Sequence, residues 1–199
     1  MSTDESAAAR TLEELRAAVS AVESGPPPPD PRGPGSDADA DEYAVARAVV
    51  LRLLTGAPKS RSELEKALRR RGCPDDVAAR VLDRYAEVGL VDDEAYARAF
   101  VRSKQAGRGL AKRALTHELR AKGVADEIAE AVLDEVDPQD ERGRAHALVE
   151  KRLRAMHGLD RATQTRRLSG MLARKGYGHD VARSVISEAL DGLPEHQRD

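Results

Sequence analysis

Apolar residues recur along this chain at the spacing of an α-helix, and nowhere do they alternate with polar residues as in a half-buried strand. In the stretch 64–82, Leu64 and Leu68 are followed by Gly72 and then by a second apolar group. Leucines at positions i and i+4 cover one face of a helix. The pattern therefore predicts two short helices joined at a glycine.

This pattern occurs three times. The copies are LEKALRRRGCPDDVAARVL (64–82), LTHELRAKGVADEIAEAVL (115–133) and LSGMLARKGYGHDVARSVI (168–186). Each has leucines eight and four residues before a glycine, and these glycines (72, 123 and 176) are 51 and 53 residues apart. A repeat of this length predicts a tandem array of small helical units that share apolar surface.

The shared positions have structural roles. Glycine suits the left-handed position after a helix, and the Arg or Lys before it favours the negative end of the helix dipole. Asp75, Asp126 and His179 are expected to open the following helix, where Asp is a good N-cap and His a poorer one. Ser60 and Glu63 have the spacing of a capping box for the first copy.

Another helix is predicted before each pair, over 40–54, 92–106 and 141–156. We therefore predict an all-α fold of three tandem three-helix repeats that form an elongated, curved rod. The predicted repeats are 41–91, 92–138 and 139–192.

The two ends of the chain differ from the repeats. Residues 1–40 contain three basic and eight acidic side chains and the Pro-rich stretch GPPPPDPRGPGSDADA (25–40), so we predict a disordered acidic extension. A short helix over 11–23 would be marginal in isolation, and 193–199 is predicted to be a disordered tail. The chain has no signal-peptide pattern and no apolar run long enough to span a membrane. With a single cysteine, Cys73, these features predict a cytoplasmic protein.

Charge is segregated along the repeats. Residues 98–122 carry eight basic groups and one acid, residues 123–141 carry eight acids and no basic group, and residues 142–176 carry ten basic groups and two acids. With Leu115 and Leu119 facing inward, a rotation of 100° per residue turns Arg113 and Arg120 outward. Segregated charge creates a field that attracts a partner of opposite sign. We therefore predict a surface for an anionic partner, formed by Arg108, Lys112, Arg113, Arg120, Lys122, Arg166, Arg167 and Arg174.

Candidate catalytic and metal-binding residues are sparse. HELRA (117–121) lacks the second histidine of the zinc-protease motif, and GRG (107–109) lacks the strand and the Gly-Lys-Ser/Thr of a phosphate loop. The dipeptide His179-Asp180 occurs in metal-dependent phosphohydrolases, but the repeat alignment favours a helix start. We predict no catalytic residue, no metal and no cofactor.

The chain resembles the RecX family of bacterial regulators of the RecA recombinase. The resemblance covers about 41–190 and depends on SRSELEKALRRRG (60–72), GLVDDEAYARAFVRSK (89–104) and GRGLAKRALTHELRAKGV (107–124). It implies a non-enzymatic modulator, expected to be a monomer, that binds in the groove of the RecA filament on single-stranded DNA. It would inhibit ATP hydrolysis, strand exchange and filament growth.

Two other functions are compatible with the residues. Residues 60–93 are similar to a helix-turn-helix DNA-binding module, although no β-hairpin is predicted after them. The repeats are also compatible with a scaffold for an unrelated protein. Weak binding to single- or double-stranded DNA is compatible with the regulatory function.

Overall fold

The computed structural model describes residues 37–192, with side chains from Asp39 onward. Within this range the chain forms nine α-helices and no strand, which confirms the all-α prediction. The helices are α1 (Asp37–Gly56), α2 (Arg61–Arg69), α3 (Asp75–Glu87), α4 (Asp93–Arg108), α5 (Lys112–Ala121), α6 (Asp126–Asp134), α7 (Pro138–Leu153), α8 (Arg161–Arg174) and α9 (His179–Asp191).

The helices follow the predicted order of three per repeat. The first repeat has α1–α3, the second α4–α6 and the third α7–α9. Helix α1 begins at Asp37, so the last four residues assigned to the acidic extension are helical. The rest of the predicted extension, with its short helix, and the tail 193–199 lie outside the described residues.

Each repeat turns at the predicted glycine. Gly72, Gly123 and Gly176 have φ angles of 77°, 75° and 87°, the left-handed region that disfavours other residues. The N–H after each glycine donates to the leucine four residues before it, as in Val124 to Leu119 at 3.1 Å. The leucine thus contributes its side chain to the core and its carbonyl to the turn, which explains the fixed Leu–Gly spacing.

Ser60 caps its helix as predicted, and the three helices expected to open at Asp75, Asp126 and His179 do begin there, one residue after their N-caps. Ser60 and Glu63 form the reciprocal capping box of α2. The capping positions of α3, α6 and α9 are instead Pro74, Ala125 and Gly178, and none of them makes a side-chain cap. The predicted caps Asp75, Asp126 and His179 are the first helical residues. These side chains therefore lie in the first turn of each helix and not at its cap position.

The described residues form two compact units, 37–96 and 97–192. In the first unit, α1 packs against α2 and α3, and α2 packs against α3. The centre of this core is aliphatic and includes Val50, Leu64, Leu68, Val81 and Leu82. The first repeat therefore buries the apolar positions that its sequence pattern marked.

The second unit contains the third repeat and the second repeat from Ala97 onward. Helix α5 packs against α6, and α7 packs against α8 and α9, which also pack against each other. One core cluster contains Leu168, Leu172 and Ile186 of the third repeat together with Ala111, which precedes α5. The core of the third repeat therefore extends to the segment that begins α5.

Candidate partner-binding site

Helix α5 has one buried face and one exposed face. Leu115 and Leu119 are 0% exposed, and the pattern of burial places Arg113 and Arg120 in solvent. Lys122 is the C-cap and is half-buried, as expected for a long side chain near the core face. The helical periodicity thus predicted correctly which cations are exposed.

The acids of α6 lie against two of these cations. Arg120 Nε is 2.6 Å from Asp126 Oδ1, and Lys112 Nζ pairs with Asp134. The hydrogen bond to Asp126, with its charge, raises the pKa of the Arg120 guanidinium. Both pairs are exposed, so they contribute little stability. Their electrostatic effect is larger, because each carboxylate cancels much of the field of its cation.

Arg108 is paired in the same way. Its Nη1 lies 2.7 Å from Glu118 Oε1, and Lys104 approaches the same carboxylate at 3.8 Å. Lys122 also interacts with another group of the chain. Segregation of charge along the sequence therefore does not leave these four predicted site residues free. Acids that follow in sequence fold back onto the surface of α5.

Arg113 differs from its neighbours on α5. It is exposed, and no described residue forms an ion pair or a hydrogen bond with its side chain. It follows Lys112 directly, yet the Lys112 side chain is paired with a carboxylate and the Arg113 side chain is not. Arg113 is therefore the cation of α5 that is available to an external anion.

Helix α8 has the same buried frame and a different exposed face. Leu168 and Leu172 are 0% exposed, as are the matching leucines of α5. Arg166, Arg167 and Arg174 are exposed, and none of their side chains has an ion pair or hydrogen-bond partner in residues 37–192. Half of the predicted site residues are thus unpaired arginines, and three of these four lie on α8.

The second and third repeats meet where α5 begins and α8 ends. The Ala111 N–H donates to the Lys175 carbonyl at 2.9 Å, and the Tyr177 hydroxyl donates to the Gly109 carbonyl at 3.1 Å. Lys175 Nζ also donates to the Arg108 carbonyl. We call these contacts, together with the approach of Gly176 to Ala114, the seam.

Sequence reasoning did not identify the seam. It interpreted Arg108 as a candidate binding residue and Gly176 as a helix terminator alone. One signal was present, because the residue after the repeat glycine is Cys73 or Val124 in the first two copies and Tyr177 in the third. A tyrosine offers a hydroxyl that requires a partner when it is buried, and Tyr177 is 3% exposed.

The described residues contain little that could perform chemistry. Between Asp39 and Gly192, no group of three or more His, Cys, Asp or Glu side chains is arranged to hold a metal ion. Burial raises the pKa of the Cys73 thiol, which makes it less nucleophilic than an ordinary cysteine. Over the same stretch no helix combines the length and hydrophobicity needed to cross a bilayer.

Three family models match the chain, one for each repeat. They are described as the first, second and third three-helix domains of RecX, and they match residues 46–84, 92–133 and 139–186. Each matched range lies within one predicted repeat. The comparison therefore confirms the three-repeat organisation.

Relatives of similar length match most of the chain. The regulatory protein RecX of Thermobifida fusca is 50% identical over 157 residues, which are 79% of this chain and 85% of that protein. The regulatory protein RecX of Streptomyces coelicolor is 46% identical over 172 residues, which are 86% of each. These two relatives agree with the family models.

Two crystal structures share the fold. RecX from Lactobacillus salivarius has a TM-score of 0.70 with 22% identity, over 75% of this chain and 97% of that one. A second structure of a regulatory protein RecX has a TM-score of 0.68 with 23% identity, over 75% and 74% of the two chains. On the family models and on the identity with its relatives, this chain belongs to the RecX family.

Proposed function

We propose that this protein is a non-enzymatic regulator that binds the RecA-type recombinase filament on single-stranded DNA. It inhibits ATP hydrolysis, strand exchange and filament growth, and so acts in homologous recombination, DNA repair and the SOS response. It acts in the cytoplasm as a monomer and needs no cofactor. Membership of the RecX family supports the regulatory function, because the relatives named above are regulatory proteins.

One observation about the exposed charges carries the binding part of the proposal. Arg113, Arg166, Arg167 and Arg174 are exposed, and no described residue neutralises them. Unpaired guanidinium groups keep their field and their donors for an external anion. We therefore restrict the predicted partner-binding set to these four arginines. Arg108, Lys112, Arg120 and Lys122 act mainly in contacts within the second unit.

The function is tested by titrating the protein into a RecA-type recombinase with single-stranded DNA and ATP. We expect ATP hydrolysis to fall at protein concentrations up to about that of the recombinase, because a groove-bound regulator acts by occupancy. An ATPase rate that stays constant across a broad titration would rule out the proposal.

Variants of the same protein test the assigned residues. Replacing the four unpaired arginines by Gln should raise the half-inhibitory concentration at least about tenfold, because each charge-assisted contact contributes roughly 1.5–3 kcal/mol. The matched variant replaces the paired cations Arg108, Lys112 and Arg120 by Gln and should have a much smaller effect. Equal effects of the two variants would contradict the restriction to unpaired arginines.

The helix-turn-helix alternative lacks the β-hairpin wing that would follow its second helix. After α3 the chain turns at Gly89 and enters α4 at Asp93, so the stretch between these helices contains no strand that could form a wing. If binding to duplex DNA were the primary function, log K would fall with log salt by about 0.9 per phosphate neutralised. We expect instead weak DNA binding beside the regulatory function, with a shallow salt dependence.

A further inference from the structure

The seam joins the end of one helix to the start of another. Lys175 is the C-cap of α8, where carbonyls lack helical partners, and Ala111 is the N-cap of α5, where N–H groups lack them. Their hydrogen bond satisfies one group from each end and brings the negative end of α8 to the positive end of α5. This arrangement stabilises one relative position of the two helices.

Close packing makes the seam specific. A Cβ added at Gly176 would lie 2.6 Å from the Ala114 Cβ and closer still to the Ala114 backbone nitrogen, with no flexible side chain able to move away. At Gly72, the equivalent residue of the first copy, an added Cβ meets nothing within 4 Å. The third copy of the glycine is therefore used for docking, in addition to its turn.

The seam brings unpaired arginines of the two repeats together. Arg113 directly precedes Ala114, and Arg174 lies two residues before Gly176. From the 3.0 Å between the Ala114 Cα and a Cβ at Gly176, and about 3.8 Å per residue, the Cα atoms of Arg113 and Arg174 are at most about 16 Å apart. Two extended arginine side chains can therefore reach one anionic patch.

A third guanidinium adds positive charge beside the seam. Arg144 of α7 lies near enough to Tyr177 for its charge to lower the pKa of that phenol, although burial raises it overall. Its Nε and Nη2 are buried and have no hydrogen-bond partner among residues 37–192. Glu141 balances part of this charge and accepts a hydrogen bond from the Lys112 N–H. The seam remains electropositive once that acid is counted.

The surroundings favour carboxylates over nucleic acid as the occupant. Proteins that bind single strands combine cations with exposed aromatic side chains on which bases stack. In residues 97–192 the Phe, Tyr and Trp side chains are limited to Phe100 and Tyr177; the first is half-buried beside Lys104 and the second is buried. Arginine pairs with carboxylates as readily as with phosphates. An acidic protein surface therefore fits this seam better than a single strand does.

We propose that Arg113 and Arg174 form one composite binding site across the seam, and that it takes a cluster of carboxylates on a protein partner. The identification of the partner as a recombinase rests on the function proposed above. The preference of the site for carboxylates does not depend on that function. The two repeats then bind the partner as one body. Neither arginine alone provides the full site.

Two chemically defined probes test this site without a recombinase. A fluorescent peptide of twenty glutamates supplies carboxylates, and the oligonucleotide dT20 supplies phosphates. Binding of each is measured by anisotropy with the full chain, with Arg113→Gln, with Arg174→Gln and with both changes. Arg70→Gln is the matched control, because Arg70 lies two residues before Gly72, is exposed, and its side chain has no ion pair or hydrogen bond to another described residue.

We expect each single change to weaken peptide binding and the double change to weaken it at least about tenfold. Binding of dT20 should change less than about threefold, and Arg70→Gln should affect neither probe. A double variant that keeps its peptide affinity, or a single variant with no effect, would overturn the composite site. A loss for dT20 as large as that for the peptide would overturn the choice of carboxylates.

The recombinase assay separates this inference from the proposed function. If the wild-type chain leaves the recombinase ATPase unchanged while the peptide results hold, the proposed function is wrong and the composite site stands. If the wild-type chain inhibits and the double variant inhibits equally well, the function stands and the composite site is wrong.

Discussion

Helices α5 and α8 share a core frame and differ in how their cations are neutralised. Each buries two leucines four residues apart and ends at a left-handed glycine. On α5, Lys112 and Arg120 pair with acids of α6. On α8, Arg166, Arg167 and Arg174 pair with no described residue. The shared frame therefore determines the fold, while the helix that follows determines which surface can attract an anion.

The difference arises from the helix that follows each one. Helix α6 brings Asp126 and Asp134 against α5. Helix α9 directs its acids away from the later arginines of α8, since Asp191 pairs with Arg161 at the start of α8 and Glu188 pairs with Arg142 of α7. The hydrogen bond from Arg161 lowers the pKa of Asp191, and the hydrogen bonds from Ser184 and then Arg142 lower the pKa of Glu188. The acids of the third repeat thus stabilise helix contacts and leave the later arginines of α8 unpaired.

The largest expected effect on the free energy of unfolding comes from replacing the glycine at which a helix ends. Gly176→Ala combines a left-handed φ with a collision at Ala114 and should destabilise the second unit by on the order of 4–5 kcal/mol. Gly72→Ala meets open space and should cost only the left-handed strain, about 1–2 kcal/mol. Urea denaturation followed by circular dichroism measures both.

Gly158→Ala provides a second reference for this comparison. Gly158 has a φ of 75° and the same open surroundings as Gly72, so its cost should match that of Gly72→Ala. If all three variants lost the same stability, the close approach at the seam would contribute nothing.

The next largest effect on the free energy of unfolding should be equal for α5 and α8. Leu119→Ala and Leu172→Ala each remove a side chain that is 0% exposed, and each should cost roughly 2–5 kcal/mol. The exposed Thr165→Ala should stay within about 0.5 kcal/mol of wild type. Denaturation midpoints and slopes measure all three. A large cost at one leucine and none at the other would mean that the two frames are not equivalent.

The equal frames were predictable from sequence and the unequal charges were not. Local periodicity determines which residues of α5 face inward, so the exposure of Arg113 and Arg120 followed from Leu115 and Leu119. Ion pairing depends on the neighbouring helix. Arg120 and its partner Asp126 flank a glycine turn whose geometry is needed to bring them within 2.6 Å. A sequence pattern alone does not determine that distance.

The seam was unpredictable for a related reason. It joins Gly109 and Ala111 to Lys175 and Tyr177, which are more than sixty residues away along the chain. Spacing within one repeat carries no information about contacts between repeats. The repeat alignment identified Gly176 correctly as a turn residue, and its second function as a docking surface appears only in the folded second unit.

A smaller effect should follow from making α5 resemble α8. Asp126→Asn with Asp134→Asn removes the partners of Arg120 and Lys112 and frees both cations. If unpaired cations carry recognition, the half-inhibitory concentration in the recombinase assay should fall by about twofold for each carboxylate removed. Glu127→Gln is the control: it lies on the same helix, removes one exposed acid and frees no ion-paired cation. If it had the same effect as each Asp→Asn change, the gain would reflect net charge alone.

The smallest expected effect concerns how the two helices begin. Asp160 caps α8 by accepting a hydrogen bond from the Thr163 N–H at 2.9 Å, and this bond holds the pKa of Asp160 below its usual range. The corresponding residue of α5 is Ala111, which has no capping side chain. A carboxyl with a lowered pKa stabilises the folded state above its unfolded pKa of about 3.9, and this contribution is lost as the pH falls through the folded value. Asp160→Ser keeps a cap that does not titrate. The difference in melting temperature between wild type and Asp160→Ser should therefore be constant from pH 7 to about pH 5 and change below about pH 4. A difference that stayed constant below about pH 4 would mean that the carboxylate charge does not stabilise the start of α8.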